Sequence, residues 1–155
     1  DLLLEQAIAT QDPTFRNSAT GALARVEDPV LVAKLQQALI DGAFKGTDFV
    51  GILFRQMARA ATTELTYEWF KANDEAVIKL IPESFRSSMV PALGGAFCSL
   101  QRADDWQAFV ESHGDKLPGY ERKLAQATEE IRLCAALKQA KEAELITAFS
   151  ATVSK

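Results

Sequence analysis

Residues 47–73 read TDFVGILFRQMARAATTELTYEWFKAN. Phe49, Val50, Leu53, Phe54, Met57, Ala58 and Ala61 recur at steps of one, three and four, which places them on one wide apolar stripe, the pattern of a helix packed on both flanks. Thr62 and Thr63 then break the stripe, and their hydroxyls are expected to accept from the free N–H groups of a new first turn. A second helix follows over residues 64–73, with Leu65, Trp69 and Phe70 on its apolar side. Neither helix can bury such a stripe alone, so the flanking sequence has to supply further helices.

It does so on both sides. Leu2, Leu3, Leu4, Ala7 and Ile8 make a short amphipathic helix that ends before Asp12-Pro13, where Asp can cap and Pro can occupy a first helical position without losing a needed N–H. A second helix over residues 14–26 carries Phe15, Ala19, Ala22, Leu23 and Val26. Asp28-Pro29 repeats the start signal, and Leu31, Val32, Leu35, Leu39 and Ile40 line a third helix that Gly42 closes. Beyond the central pair, Asn73 suits a left-handed helix end and Asp74 a cap. Ala76, Val77, Leu80 and Ile81 form a short helix up to Pro82. Ser84 opens a longer helix through Phe85, Met89, Leu93, Phe97 and Leu100, with a kink expected at Pro91 and Gly94-Gly95. Asp104 is expected to cap a helix holding Trp106, Phe109 and Val110. Residues 113–119 read as a turn, and Pro118 starts the last and longest helical region, with Tyr120, Leu124, Ala127, Ile131 and Cys134 in stripe. Leu145, Ile146, Phe149 and Val153 complete the chain.

The start signals Asp12, Thr47, Ser84 and Pro118 stand 35, 37 and 34 residues apart, with about two helices in each interval. That period belongs to α-solenoids, in which each hairpin buries its apolar face against the next. The tetratricopeptide Trp/Gly/Tyr spacing is missing, whereas the looser HEAT/armadillo class fits. The expected fold is therefore all-α, a HEAT/armadillo-like solenoid of antiparallel pairs in one domain over residues 1–155.

Composition narrows the function. With 48% hydrophobic and 25% charged residues the chain reads as an ordinary globular protein. A net charge of −4 gives no basic footprint for nucleic acid. No apolar run approaches the roughly 20 residues that span a bilayer. The N-terminus, DLLLEQAIAT, lacks a basic n-region, a cleavage site and an initiator Met, and its abrupt helical start suggests a piece excised from a longer chain. Cys98 and Cys134 read as buried thiols in apolar helical stripes.

Intrinsic catalysis finds little support. One histidine, His113, cannot supply both ring ligands of a His-Glu-x-x-His zinc site, and within ESHGDK (111–116) it reads as an exposed loop residue. The glycines of PALGGAF (91–97) lack the Lys-Ser/Thr of a phosphate loop. Asp104-Asp105 and Glu129-Glu130 point about 100° apart on a helix and would not share a metal or a proton. Among the arginines, Arg55, Arg59, Arg86, Arg102, Arg122 and Arg132 offer planar forks suited to carboxylates, with ordinary ion pairing as the simpler role.

Several segments resemble the second half of the C-terminal helical domain of zinc aminopeptidases of the aminopeptidase N and puromycin-sensitive type. RNSATGALARVEDPVLVAKLQQALIDG (16–42) resembles that domain's helix-turn-helix with an Asp-Pro turn. FKGTDFVGILFRQMA (44–58) stands where the family has Arg-x-Gln-Asp before an apolar helix, with Lys45 and Thr47 substituted and Asp48 matching. TYEWFKANDEAV (66–77) is similar to the Trp-x-Phe-x-x-x-Asn segment through Trp69 and Asn73, although Trp and Phe are adjacent here. GAFCSLQRADDWQAFVESH (95–113), which includes Phe97, resembles a Gly-Phe…Phe-Phe region. ERKLAQATEEIRLCAAL (121–137) resembles a closing helix through Glu121, Arg122, Gln126, Glu129 and Ile131, with Leu137 in place of a Trp and Cys134 in place of an Asn.

The resemblance implies a non-catalytic piece of a chain that removes N-terminal residues from peptides. Zinc and the exopeptidase loop would lie in an upstream catalytic domain of the same chain, the partner of this one. The helical domain would curve over that site and limit which peptides enter. None of the family's catalytic residues has a counterpart here. On a concave face, Lys45, Arg55, Arg86 and Arg122 are candidates to hold a peptide's C-terminal carboxylate. Trp69, Asn73, Phe97, Glu129 and Ile131 are expected to serve structure. The competing reading is a free-standing HEAT-like module that binds a protein partner; the solenoid period alone supports it.

Overall fold

The computed structural model describes the backbone of residues 2–153 and the side chains of residues 2–148. Its α-helices are α1 (Leu2–Ala9), α2 (Pro13–Leu23), α3 (Pro29–Ile40), α4 (Gly46–Met57), α5 (Thr63–Ala72), α6 (Asp74–Leu80), α7 (Glu83–Ala92), α8 (Leu100–Glu111) and α9 (Glu121–Val153). Short 3₁₀ turns at Leu93–Ala96 and Gly114–Lys116 precede α8 and α9. The protein is all-α, with no strand among the described residues.

The Asp-Pro starts work as their chemistry dictates. Asp12 Oδ1 accepts from Thr14 N at 2.8 Å, and Asp28 Oδ1 accepts from Val30 N and Leu31 N, each at 3.0 Å. Each Pro sits in the first helical positions, where no intrahelical donor is needed. Gly42 ends the α3 turn at φ +76°, a conformation that costs a glycine little.

Helices α4 and α5 pack together as the central hairpin, and α4 also meets α2 and the Leu93–Ala96 turn. Phe49, Ile52, Leu53 and Met57 of α4 are buried, as are Tyr67 and Phe70 of α5. The inward face of α5 is thus Thr63, Thr66, Tyr67 and Phe70. Leu65 is exposed and Trp69 only half-buried, so the expected Leu65/Trp69 stripe is rotated from the true one. The polar Thr66 and the Tyr67 ring take inward positions that an apolar count assigns to their neighbours.

Thr62 and Thr63 mark the hairpin corner with the opposite chemistry to that expected. Their hydroxyls donate backwards: Thr62 Oγ1 to Gln56 O at 2.7 Å, and Thr63 Oγ1 to Met57 O at 2.9 Å and Arg59 O at 2.7 Å. They satisfy the orphan carbonyls at the end of α4, while α5 starts without a side-chain cap bond. Asn73 likewise closes α5 with φ −130° rather than a left-handed turn, its Nδ2 donating to Trp69 O at 2.8 Å.

Pro91 and Gly94-Gly95 end a helix instead of kinking one. After α7 the chain tightens into the Leu93–Ala96 turn and straightens at Phe97, with φ −68° and ψ 153°. Ser99, not Asp104, is the cap of α8: its Oγ accepts from Arg102 N at 3.2 Å. Asp104 lies inside α8 and pairs with Arg132 of α9 at 3.0 Å.

Helix α9, 33 residues and about 50 Å long, packs on α7, the Leu93–Ala96 turn and α8. Leu124, Ala127 and Ile131 are its buried stripe, with Tyr120 half-buried before it. Past that stripe Leu133, Leu137, Leu145 and Ile146 are exposed, and Phe149 and Val153 lie outside the described side chains. Leu2, Leu3, Ile8, Phe15 and Leu31, all expected inward at the other end, are exposed as well.

Candidate functional site

Helix α5, Phe97 after the Leu93–Ala96 turn and α8 meet at an aromatic joint. Trp106, fully buried, stacks on Phe109 with centroids 5.4 Å apart and lies edge-on to Tyr67 and Phe97. Tyr67 and Phe97 approach edge to face at 5.1 Å. Such rings exceed their simple burial by about 0.5–1.5 kcal/mol per pair. Burial raises the ionisation of the Tyr67 phenol above its ordinary value.

Over this joint lies Arg102, which pairs with both oxygens of Glu64 and with Asp105 at 3.2 Å, and reaches Glu68 at 3.8 Å. Its guanidinium stands 4.9 Å from the centre of the Tyr67 ring. The hydrogen bond to Glu64 strengthens its hold on its proton. Of the arginines, this one combines a carboxylate fork with an aromatic face, but the fork is filled by the protein's own carboxylates.

Cys98 and Cys134 are joined by a disulfide, with Cα atoms 5.1 Å apart. This corrects the expectation of two buried thiols: Cys134 is exposed on α9 and Cys98 half-buried before α8. Each looked like a member of an apolar stripe, and the stripe on α9 in fact ends at Ile131. His113 also departs from expectation. It is buried, with Nε2 3.0 Å from Asp74 Oδ2 and Nδ1 2.9 Å from Phe109 O.

The four candidate carboxylate contacts lie on or beside three helices. Lys45, exposed, precedes α4, and Arg55 is exposed in its last turn. Arg122 is exposed in the first turn of α9. Arg86 of α7 is half-buried and directs Nε to Ile81 O at 2.9 Å and Nη2 to Lys79 O at 3.1 Å, which caps the end of α6. Among the residues expected to be structural, Phe97 and Ile131 are buried, Trp69 packs half-buried on the core, and Asn73 caps α5. Glu129 is exposed beside a groove of about 360 Å³ between α8 and α9, which Glu111, Tyr120, Glu121 and Arg132 also line.

A larger recess of about 840 Å³ borders the disulfide along α9, walled by Leu137, Leu145 and Ile146 with Lys138 and Lys141. At the opposite end an apolar slot of about 210 Å³ opens between α1, α2 and α3, lined by Leu3, Leu4, Leu23 and Leu31.

Among the described residues the groups that could hold a metal do not come together. The sole imidazole is engaged by Asp74 and Phe109, both cysteines are bridged, and no group of three potential ligands converges among the described residues. No helix of the described residues is long and apolar enough to cross a membrane.

Comparison with curated proteins gives no match. A family model described as the ERAP1-like C-terminal domain matches residues 1–133, which takes in every helix from α1 to α8 and the buried stripe of α9. The chain belongs to the family of ERAP1-like C-terminal domains, the C-terminal domain of enzymes of the aminopeptidase N family.

Proposed function

We propose that this chain is a non-catalytic helical domain of a zinc aminopeptidase and that it caps the active-site cavity and governs which peptides reach it. The match over residues 1–133 is the observation that carries this reading. Zinc and the catalytic residues then belong to a catalytic domain elsewhere in the parent chain, and peptides are the parent's substrates. Closing such a domain over a reaction site excludes water and long substrates. Helix pairs in chain order, α1 on α2 and α4 on α5, support a solenoid with a concave side. The Cys98–Cys134 bridge supports an oxidising compartment.

Within that reading, Lys45, Arg55 and Arg122 remain the candidates for a peptide carboxylate, since their side chains are exposed. Arg86 is the weakest of the four because its guanidinium already serves the carbonyls of α6. Kinetics of the parent enzyme test this. Alanine at Lys45, Arg55 or Arg122 is expected to raise KM for longer peptides and leave that for short aminoacyl substrates unchanged. Unchanged constants for every peptide length would remove these contacts from the account.

The alternative, a free-standing interaction module, draws on the exposed Leu133, Leu137, Leu145 and Ile146 of α9. A parent reading frame that carries His-Glu-x-x-His would exclude it.

A further inference from the structure

Helix α9 outlasts the core it serves. Its buried stripe, Leu124, Ala127 and Ile131, ends one turn before Cys134, and the family match ends at residue 133. The helix nevertheless runs on to Val153. Leu145 follows Ala127 by 18 residues, about five turns, so the side that faces the core in the first half of α9 continues into the second. There its apolar side chains stand open. Leu137, Leu145 and Ile146 are 64%, 54% and 60% exposed, and with Cys98 and Cys134 they wall the recess of about 840 Å³.

Charge selects the occupant. Lys138, Lys141, Glu142 and Glu144 line the same recess. Lys141 is held by Glu144 on its own helix at 2.8 Å. Lys138 and Glu142, four positions apart on one flank of the helix, take no ion-pair partner among the described residues. A basic residue followed by an acidic one along a helix flank complements itself when an identical helix runs beside it in the opposite direction. With the two-fold axis level with Ala140, Lys138 of each copy faces Glu142 of the other. The same operation brings Leu145 of one copy to a level between Cys134 and Leu137 of the other, where the recess is apolar. A parallel pairing would set each residue level with its own copy, Lys138 beside Lys138.

We propose that α9 beyond Cys134 is a self-association surface, on which a second copy of this chain lays its own α9 antiparallel, with Leu145 seated beside the other copy's bridge and Lys138 against its Glu142. The disulfide fixes the base of that surface, since it ties α9 to the residue before Ser99, the cap of α8. Residues 133–148 make about 24 Å of helix. A contact of that length lies near the low end of specific interfaces, about 1,200 Å² in total, and a dissociation constant on the order of micromolar is expected.

Sedimentation velocity of the intact chain from about 1 to 200 µM brackets such a constant. The mass is expected to rise from 17.0 kDa toward twice that value. Leu145→Glu changes an exposed position, so helicity should hold while the dimer weakens by about tenfold or more. Leu133→Glu is the control: Leu133 is 63% exposed but lies outside the recess, and its loss should leave association unchanged. Lys138→Glu should weaken the dimer by about tenfold, and Lys138→Glu/Glu142→Lys should recover most of that loss. A chain that stays monomeric throughout the range would overturn the proposal. So would a dimer that Leu133→Glu weakens as much as Leu145→Glu, or a charge exchange that recovers nothing.

Discussion

The indole Nε1 of Trp106 donates to the carbonyl of Pro91 at 2.9 Å, in the fully buried space where Gly94 leaves room for the ring. A Cβ on Gly94 would lie 2.3 Å from that same nitrogen. The end of α7, the 3₁₀ turn and α8 are thus keyed together by one tryptophan and one missing side chain.

Gly94→Ala is expected to cost about 3 kcal/mol, the upper range for overpacking, because the obstacle is a rigid ring with no free end to swing away. Trp106→Ala should cost about 3–5 kcal/mol. Trp69→Ala should cost clearly less, since Trp69 is only half-buried. Urea unfolding of the three variants checks the order; a larger loss at Trp69 than at Trp106 would contradict this packing.

How much of this was legible in the sequence follows a physical line. The Asp-Pro starts and Gly42 could be read because capping and positive φ are local chemistry, decided within four residues. The α4 stripe could be read at Phe49, Val50, Leu53 and Met57 because one apolar face dominates its pattern, but Ile52 and Gln56 are buried as well, and Ala58 and Ala61, expected in the stripe, are exposed beyond the helix end. The α5 face could not: Tyr67 buries against Trp106 and Phe109 of α8, and no local count anticipates that contact or the burial of Thr66 beside it. The disulfide and the His113 contacts were hidden for the same reason, since Cys98 meets Cys134 and Asp74 meets His113 only after α8 and α9 have folded back. Thr62 and Thr63 marked the right corner, but whether a hydroxyl donates backwards or accepts forwards depends on the path of the loop.

Reduction of the Cys98–Cys134 bridge, or a Cys98→Ser/Cys134→Ser double variant, should destabilise by about 4 kcal/mol from loop-closure entropy, given a sequence separation of 36. Thermal unfolding with and without reductant measures it. Equal melting temperatures, with reduction confirmed by mass, would show that the bridge holds nothing together.

Tyr67 sets an alkaline limit. Burial raises its phenol above the ordinary value, so the unfolded chain releases this proton at lower pH than the folded one. The contribution is fully present below about pH 10, the unfolded value, and is lost as pH rises through the folded one. Tyr67→Phe should flatten the decline in stability above about pH 10. An unchanged alkaline slope in that variant would place the cause elsewhere.

Thr63→Val removes a buried hydroxyl that donates to Met57 O and Arg59 O and leaves the end of α4 short of donors. A loss of about 1–3 kcal/mol is expected. Amide exchange should speed up in the last turn of α4 and the first of α5; no change there would mean that water replaces the hydroxyl without cost.

The most direct measurement is hydrolysis of aminoacyl substrates by the purified 155-residue chain, with its zinc content determined alongside. A non-catalytic domain of an aminopeptidase should show neither turnover nor a stoichiometric metal. Hydrolysis that a chelator abolishes and zinc restores would contradict the account.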